Sequence, residues 1–205
     1  MKPEYWDRAR RELARKDPVM AAIIKRHRGV HLVPRGDPFV TLARAIVGQQ
    51  ISTKAAQSVW NRFAECVATV CPENVLEAKT RRLRACGLSA RKCEYICDLA
   101  RRFADGEVHV HRWPQMPDEE VIADLVQVRG IGRWTAEMFL MFSLLRPDVL
   151  PLDDLGLQKA IRLAYFKGRK ISVRTLARVG ETWRPWRTVA SWYLWRSLDP
   201  LPVEY

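Results

Sequence analysis

The sequence predicts an all-α fold, and three observations carry that expectation. Apolar residues recur at helical spacing in segment after segment, and no stretch alternates apolar with polar residues as a half-buried strand would. Ser or Asp precedes many of these runs, twice with proline directly after it, at Asp17-Pro18 and Asp37-Pro38. Glycine closes several of them, at Gly87, Gly106 and Gly168.

In chain order the pattern predicts helices over 4–15, 18–27, 38–49, 53–66, 73–79, 89–104, 118–127, 133–144, 154–165, 172–181 and 185–198. Asp17 and Asp37 start the second and third, with proline at the first helical position, where the missing N–H costs nothing. Ser52, Ser89, Asp118 and Ser172 are N-cap candidates for the helices that follow them. The Pro-bounded stretch HVHRWPQMP (109–117) predicts a loop crossing the surface, and its His109 and His111 lack a third ligand for a metal. Neither an internal repeat nor a low-complexity linker interrupts the series.

The 205 residues suffice for one compact unit or two small ones, and a hydrophobic content of 48% supports a real core. Net charge is +12, concentrated in arginine-rich stretches such as ARRELARK, KTRRLRA and WRPWR. Such an excess points to a polyanionic partner, nucleic acid above all. No segment joins a basic face to a continuous apolar one, which argues against a membrane surface. Cys66, Cys71, Cys86, Cys93 and Cys97 form an odd set without paired spacing. With no secretory h-region in view, they predict reduced, buried thiols in a cytoplasmic, nucleoid-associated protein.

The stretch VRGIGRWTAEMF (128–139) follows a helical segment whose Val121, Leu125 and Val128 share one side. Gly130 and Gly132 therefore predict a tight turn between two helices. Such a turn either cradles a phosphate on the N–H groups of the second helix or is an ordinary glycine-capped connection. Downstream, Pro151 breaks the chain just before Asp153 and Asp154, where a new helix begins. Asp153 is expected to cap that helix. Asp154, 22 residues after Gly132, is the candidate for chemistry, at a helix end that favours a carboxylate. In AIVGQQISTKAA (45–56), Gln49 and Gln50 end an apolar helix. They are either exposed caps or flat hydrogen-bonding side chains able to wedge into a base stack. Trp183, Trp186, Trp192 and Trp195 in WRPWRTVASWYLWRSL are expected mostly in the core, with one lining a cleft.

Together, AIVGQQISTKAA, LVQVRGIGRWTAEMFLMFSL and DVLPLDDLGLQKAI resemble the helix-hairpin-helix DNA glycosylases. WRPWRTVASWYLW is similar to the 3-methyladenine DNA glycosylase II branch, and the resemblance covers roughly residues 38–198. It implies a two-lobed helical fold with a DNA cleft between the lobes. One lobe would be a six-helix barrel over 37–150 that contains the helix-hairpin-helix, and the other would combine 1–36 with 151–205. Larger bacterial members carry an extra N-terminal β-rich domain, for which 205 residues are not expected to leave room. By residue, the resemblance places Gly130, Ile131, Gly132 and Arg133 in the phosphate-binding hairpin, with Ser52, Lys92 and Thr135 as further DNA contacts. It gives the backbone carbonyls of Val126, Val128 and Ile131 a shared structural cation. Asp154 becomes the catalytic carboxylate, Gln49 and Gln50 the strand-probing wedge, and Trp134, Met138 and Trp195 the base pocket. Met138 stands where members often carry an aromatic.

The expected activity is that of a monofunctional DNA glycosylase. It would act as a monomer without a cofactor, flipping alkylated bases out of duplex DNA and excising them by hydrolysis in base excision repair. One alternative is a glycosylase/lyase of the endonuclease III type. No cysteine follows Cys97, so the C-terminal iron–sulfur loop of many such enzymes cannot form, and Trp134 stands where they place a lysine nucleophile. The other is a non-catalytic helix-hairpin-helix module, which accounts for the charge and the glycines but for neither Asp154 nor the glutamine pair.

Overall fold

The computed structural model describes residues 2–198. The last residues of the expected second lobe, 199–205, lie outside the described residues. Among those described there are twelve α-helices and no strand, as the sequence predicts. They are α1 (Trp6–Lys16), α2 (Pro18–Arg26), α3 (Pro38–Gly48), α4 (Thr53–Val67), α5 (Pro72–Glu77), α6 (Thr80–Ala85), α7 (Ala90–Ala104), α8 (Asp118–Leu125), α9 (Arg133–Phe142), α10 (Leu155–Phe166), α11 (Val173–Glu181) and α12 (Arg187–Leu198). No helix among the described residues is long and apolar enough to cross a membrane.

Most of the expected caps are made. Asp17 Oδ1 accepts the Val19 and Met20 N–H groups at 2.8 and 3.1 Å, and Asp37 Oδ1 accepts that of Val40 at 3.0 Å. Ser52, Ser89 and Ser172 cap α4, α7 and α11 in the same way. Asp118 does not. It is the first residue of α8, behind Pro117 at the cap position, and joins Glu119 and Glu120 in a first turn whose charges suit the helix dipole.

α6 is a helix that periodicity does not predict. TRRLRA buries a single apolar side chain, Leu83, and starts without a side-chain cap. Tertiary contacts hold it: Arg82 Nη2 donates to the Cys66 carbonyl at 2.9 Å, and Arg62 Nε to that of Cys86 at 3.0 Å. Nor is 109–117 a surface loop throughout. Trp113 is fully buried, edge-on to Phe139, and its indole N–H donates to Asp124 at 2.7 Å. The same buried carboxylate takes the His109 backbone N–H and pairs with His109 Nδ1, both at 2.9 Å. All five cysteines are free thiols. Cys86 and Cys93 are buried and the other three half-buried, and burial pushes the Cys86 thiol up to about 11.

The chain divides into two compact units, with the boundary inside α9. Arg35–Phe139 form one, in which α3 packs on α4 and α7, and α5 and α6 pack on α7. Residues 2–34 and 140–198 form the other, where α12 packs on α1, α2 and α10. There Asp17, besides capping α2, accepts the Tyr165 hydroxyl at 2.6 Å, and Trp186 Nε1 donates to Glu12 at 2.7 Å. Trp6 meets Trp192 edge-on at 5.1 Å. The tryptophans thus join the two ends of the chain into one core.

In the Arg35–Phe139 unit, the buried Asp98 of α7 accepts the Arg129 backbone N–H at 3.0 Å, Arg101 Nη2 at 2.9 Å and Arg102 Nε at 3.1 Å. Burial alone pushes this carboxyl up, but the Arg129 N–H and the two guanidiniums outweigh it and hold it below the usual carboxylate range. A depressed carboxyl stabilises the fold fully above its unfolded value of about 3.9, and the contribution fades as pH falls through the folded value. Asp98→Asn should therefore lower the unfolding free energy by about 1–3 kcal/mol at neutral pH, the cost of losing charge-assisted bonds. The loss should shrink as pH falls below the unfolded value of about 3.9 and through the lower folded one, where the wild-type carboxyl is itself protonating. Denaturant melts across this range test it, and two stability curves that stay parallel would remove Asp98 from the acid limb.

Candidate nucleic-acid interface and active site

α8 and α9 are joined by the turn that carries both glycines. Gly130 has φ +83°, and a Cβ there would sit 2.1 Å from the Tyr95 ring of α7, so backbone angle and packing both demand glycine. Ile131 is buried, and its N–H donates to the Val128 carbonyl at 3.1 Å. That bond occupies one of the two lone pairs on Val128 O. Gly132 differs in every respect. It is exposed, it has no positive φ, and a Cβ on it would meet nothing within 4 Å. The protein itself has no need of a bare backbone here. Just beyond, the first backbone bond of α9 runs from the Ala136 N–H to the Gly132 carbonyl. The start of α9 is the positive end of its dipole, which favours an anion. Arg133 contributes its backbone to this turn, but its guanidinium is engaged by Glu119 at 2.9 and 2.5 Å and by Glu137 at 3.1 Å.

Beside the hairpin, α3 ends in the glutamine pair, and the two residues part company. Gln49 turns inward: its Nε2 donates to the Gly130 carbonyl at 2.7 Å. Gln50 is exposed and left-handed, at φ +57°. Lys92, expected as a DNA contact, also points inward, with Nζ donating to the carbonyls of Val47 and Gln49 at 2.7 and 2.8 Å. Burial holds its ammonium below the usual lysine range. Ser52 is exposed, with its hydroxyl capping α4.

A cavity of about 490 Å³ opens in the same unit, lined by Trp134, Thr135 and Met138 of α9, Leu42 and Ala45 of α3, and Gln57 of α4. It has the volume of a small-molecule site. Trp134 and Met138, one helical turn apart, supply its half-buried indole and buried thioether. Thr135 is buried among them rather than facing outward.

Asp154 belongs to the other unit. It, and not Asp153, caps α10: the helix begins at Leu155, and Asp154 Oδ1 accepts the Leu157 N–H at 2.6 Å, while Asp153 is exposed. The same oxygen accepts Trp195 Nε1 at 2.8 Å, and the carboxylate is only 6% exposed. Trp195 is buried and stacks on Phe142 at 6.1 Å, so the ring expected in the base pocket is also what aims the carboxylate. Sequence reasoning missed Gly156. A Cβ on it would lie 3.1 Å from Asp154 Oδ1 and 3.5 Å from the Trp195 ring. The available signal is a glycine in the first turn of a helix, where it is a poor helix former.

The two hairpin glycines should separate on substitution. Gly130→Ala should cost about 2–4 kcal/mol, from the left-handed backbone and the Tyr95 overlap together. Gly132→Ala should leave the melting temperature within about a degree of wild type, because a surface methyl in open space changes little. Thermal melts of both variants decide it, and equal losses would mean that the turn tolerates a side chain at neither position.

The sequence pattern of the HhH-GPD superfamily base excision DNA repair protein matches residues 43–185. DNA-3-methyladenine glycosylase 1 of Schizosaccharomyces pombe is 32% identical, over 87% of this chain and 80% of its own length. The solved structure of Schizosaccharomyces pombe 3-methyladenine DNA glycosylase (Mag1) in complex with abasic DNA superposes with a TM-score of 0.81 at 31% identity, covering 97% of this chain and 99% of that one. A DNA-3-methyladenine glycosylase of Bacillus subtilis is 29% identical over 91% of this chain, which spans 66% of that protein's length. The chain belongs to the HhH-GPD superfamily of base excision DNA repair proteins.

Proposed function

We infer that this protein is a DNA-3-methyladenine glycosylase that removes alkylated bases from duplex DNA in base excision repair. The observation that carries the reading is the buried Asp154 carboxylate, aimed by the Trp195 and Leu157 N–H groups. A module that only grips phosphates has no use for such a group. The open turn at Gly132 holds a backbone phosphate, and Gln50 fills the gap left in the stack. The extruded base enters the cavity beside Trp134 and Met138.

A base within the stack is out of reach, so extrusion precedes chemistry. An alkylated purine carries positive charge, which makes it a good leaving group and a good partner for an indole face. As the C1′–N bond breaks, its electron pair leaves with the base and positive charge builds on the sugar. The negative charge of Asp154 stabilises that cation and orients the water that adds to C1′. The water surrenders a proton, and an abasic site remains. A lyase needs an amine at C1′. Trp134 supplies none, and Lys92 is committed to two carbonyls.

Asp154→Asn keeps the shape and the cap, since asparagine caps as well as aspartate does. It should retain DNA binding yet lose base release by on the order of 3 kcal/mol of transition-state stabilisation, or more. Asp153→Asn should do much less. Release of a labile alkylated base at the wild-type rate by Asp154→Asn would reduce the residue to a cap. Trp195→Phe keeps an aromatic ring but removes the indole N–H, so it should slow release while leaving affinity largely intact.

Gly132→Ala should bind damaged and undamaged duplexes equally less well, because phosphate contacts carry no sequence information. Salt titrations of both duplexes measure this, and unchanged affinity would take the hairpin out of the interface. The product should be an uncut strand that breaks only after hot alkali. Breaks in untreated samples, with a borohydride-trapped adduct, would reveal a lysine nucleophile.

A further inference from the structure

The end of α3 is held in a manner that neither helix termination nor packing requires. Its last carbonyls would ordinarily face water or a glycine cap. Instead the Lys92 ammonium reaches up from the first turn of α7 and binds two of them, Val47 O and Gln49 O, at 2.7 and 2.8 Å. Gln49 is then fixed at its other end as well, through Nε2 to the Gly130 carbonyl. Gly130 in turn is pressed against Tyr95, on the same helix as Lys92. The loop closes: α7 to α3 through Lys92, α3 to the hairpin through Gln49, the hairpin back to α7. Immediately beyond this ring stands Gln50, exposed, at φ +57°, a left-handed backbone state disfavoured for any residue with a Cβ. Ile51 follows it, 40% exposed.

We propose that Lys92 and Gln49 are positioning residues for base extrusion: they hold Gln50 in its strained pose and lock it in register with the phosphate-gripping turn. The wedge is thus preset before DNA arrives, and one glutamine of the pair is its mount while the other is its tip. A lysine suits the mount because three N–H donors on one atom can bind two carbonyls at once. The proposal rests on the glycosylase reading above. It assigns the pair to the opening of the stack and not to bond cleavage.

The test exploits that division of labour. Two duplexes carry the lesion that wild type releases fastest, one with it fully paired and the other with it opposite an abasic site, where most of the opening cost is already met. Lys92→Met keeps the aliphatic stem and removes the donors, and Gln49→Met does the same for its amide. Each should lower the ratio of single-turnover rates, paired over pre-opened, by about tenfold or more, as expected when a few kcal/mol of unstacking loses its support. The double variant should fall little further than either single one, because both cut the same ring. Lys92→Arg, which retains donors, should recover part of the ratio. If either methionine variant slows both duplexes alike, the pair serves the fold or the chemistry, and the proposal is overturned. If wild type releases no base from either duplex, the glycosylase reading fails instead.

Discussion

A turn whose backbone N–H groups are to meet a phosphate, as proposed for the one between α8 and α9, cannot use them to hold itself together, and the Arg35–Phe139 unit secures that turn by other means. The α8–α9 turn is secured from behind by α7. Asp98 accepts the Arg129 N–H just before the first glycine, and the Tyr95 ring fills the space that a side chain on Gly130 would take. With those anchors in place, Gly132 stands at the start of α9 with open space before it. Rigidity on one side of the turn is what permits bareness on the other.

The fold was legible because helical periodicity and caps are local signals. Asp17, Asp37, Ser52, Ser89 and Ser172 each cap within three residues of themselves, and the sequence displays them directly. What it hid were interactions across long separations. α6 is too short to show a period and exists because Leu83, Arg82 and Arg62 find partners elsewhere. Lys92 reads as a DNA contact until α3 is seen to end above it, some 45 positions away in the chain. Asp118 and Asp153 show the limit of local reading at single-residue precision, since in each case the cap falls on a neighbour. The candidate site was legible as a set of residues, but the direction in which Gln49, Lys92 and Arg133 point was not.

Asp154 illustrates why capping and chemistry are not competing accounts. A cap must be a short acceptor at a helix N-terminus, and those same surroundings, an oriented N–H and the positive end of a dipole, stabilise negative charge. A second donor, Trp195 Nε1, binds the same oxygen and fixes the plane of the carboxylate, while Gly156 leaves both groups the space to meet. Preorganisation of this kind costs nothing at the moment of reaction, because the dipoles are already placed when charge develops. The surroundings that make Asp154 a cap are the ones the proposed catalytic role requires.

The charge of the chain acts at a different range from its contacts. Much of the arginine near the hairpin is already paired: Arg133 with Glu119 and Glu137, Arg101 and Arg102 with Asp98. These guanidiniums brace the fold. The net +12 nonetheless survives as a long-range field that draws a polyanion in without dictating where it stops. In the proposed reading, close contact falls to backbone N–H groups at Gly132 and to Gln50. A protein that must inspect many undamaged sites gains from that division. The diffuse term keeps it on DNA, and the few short-range contacts keep any one site from holding it long.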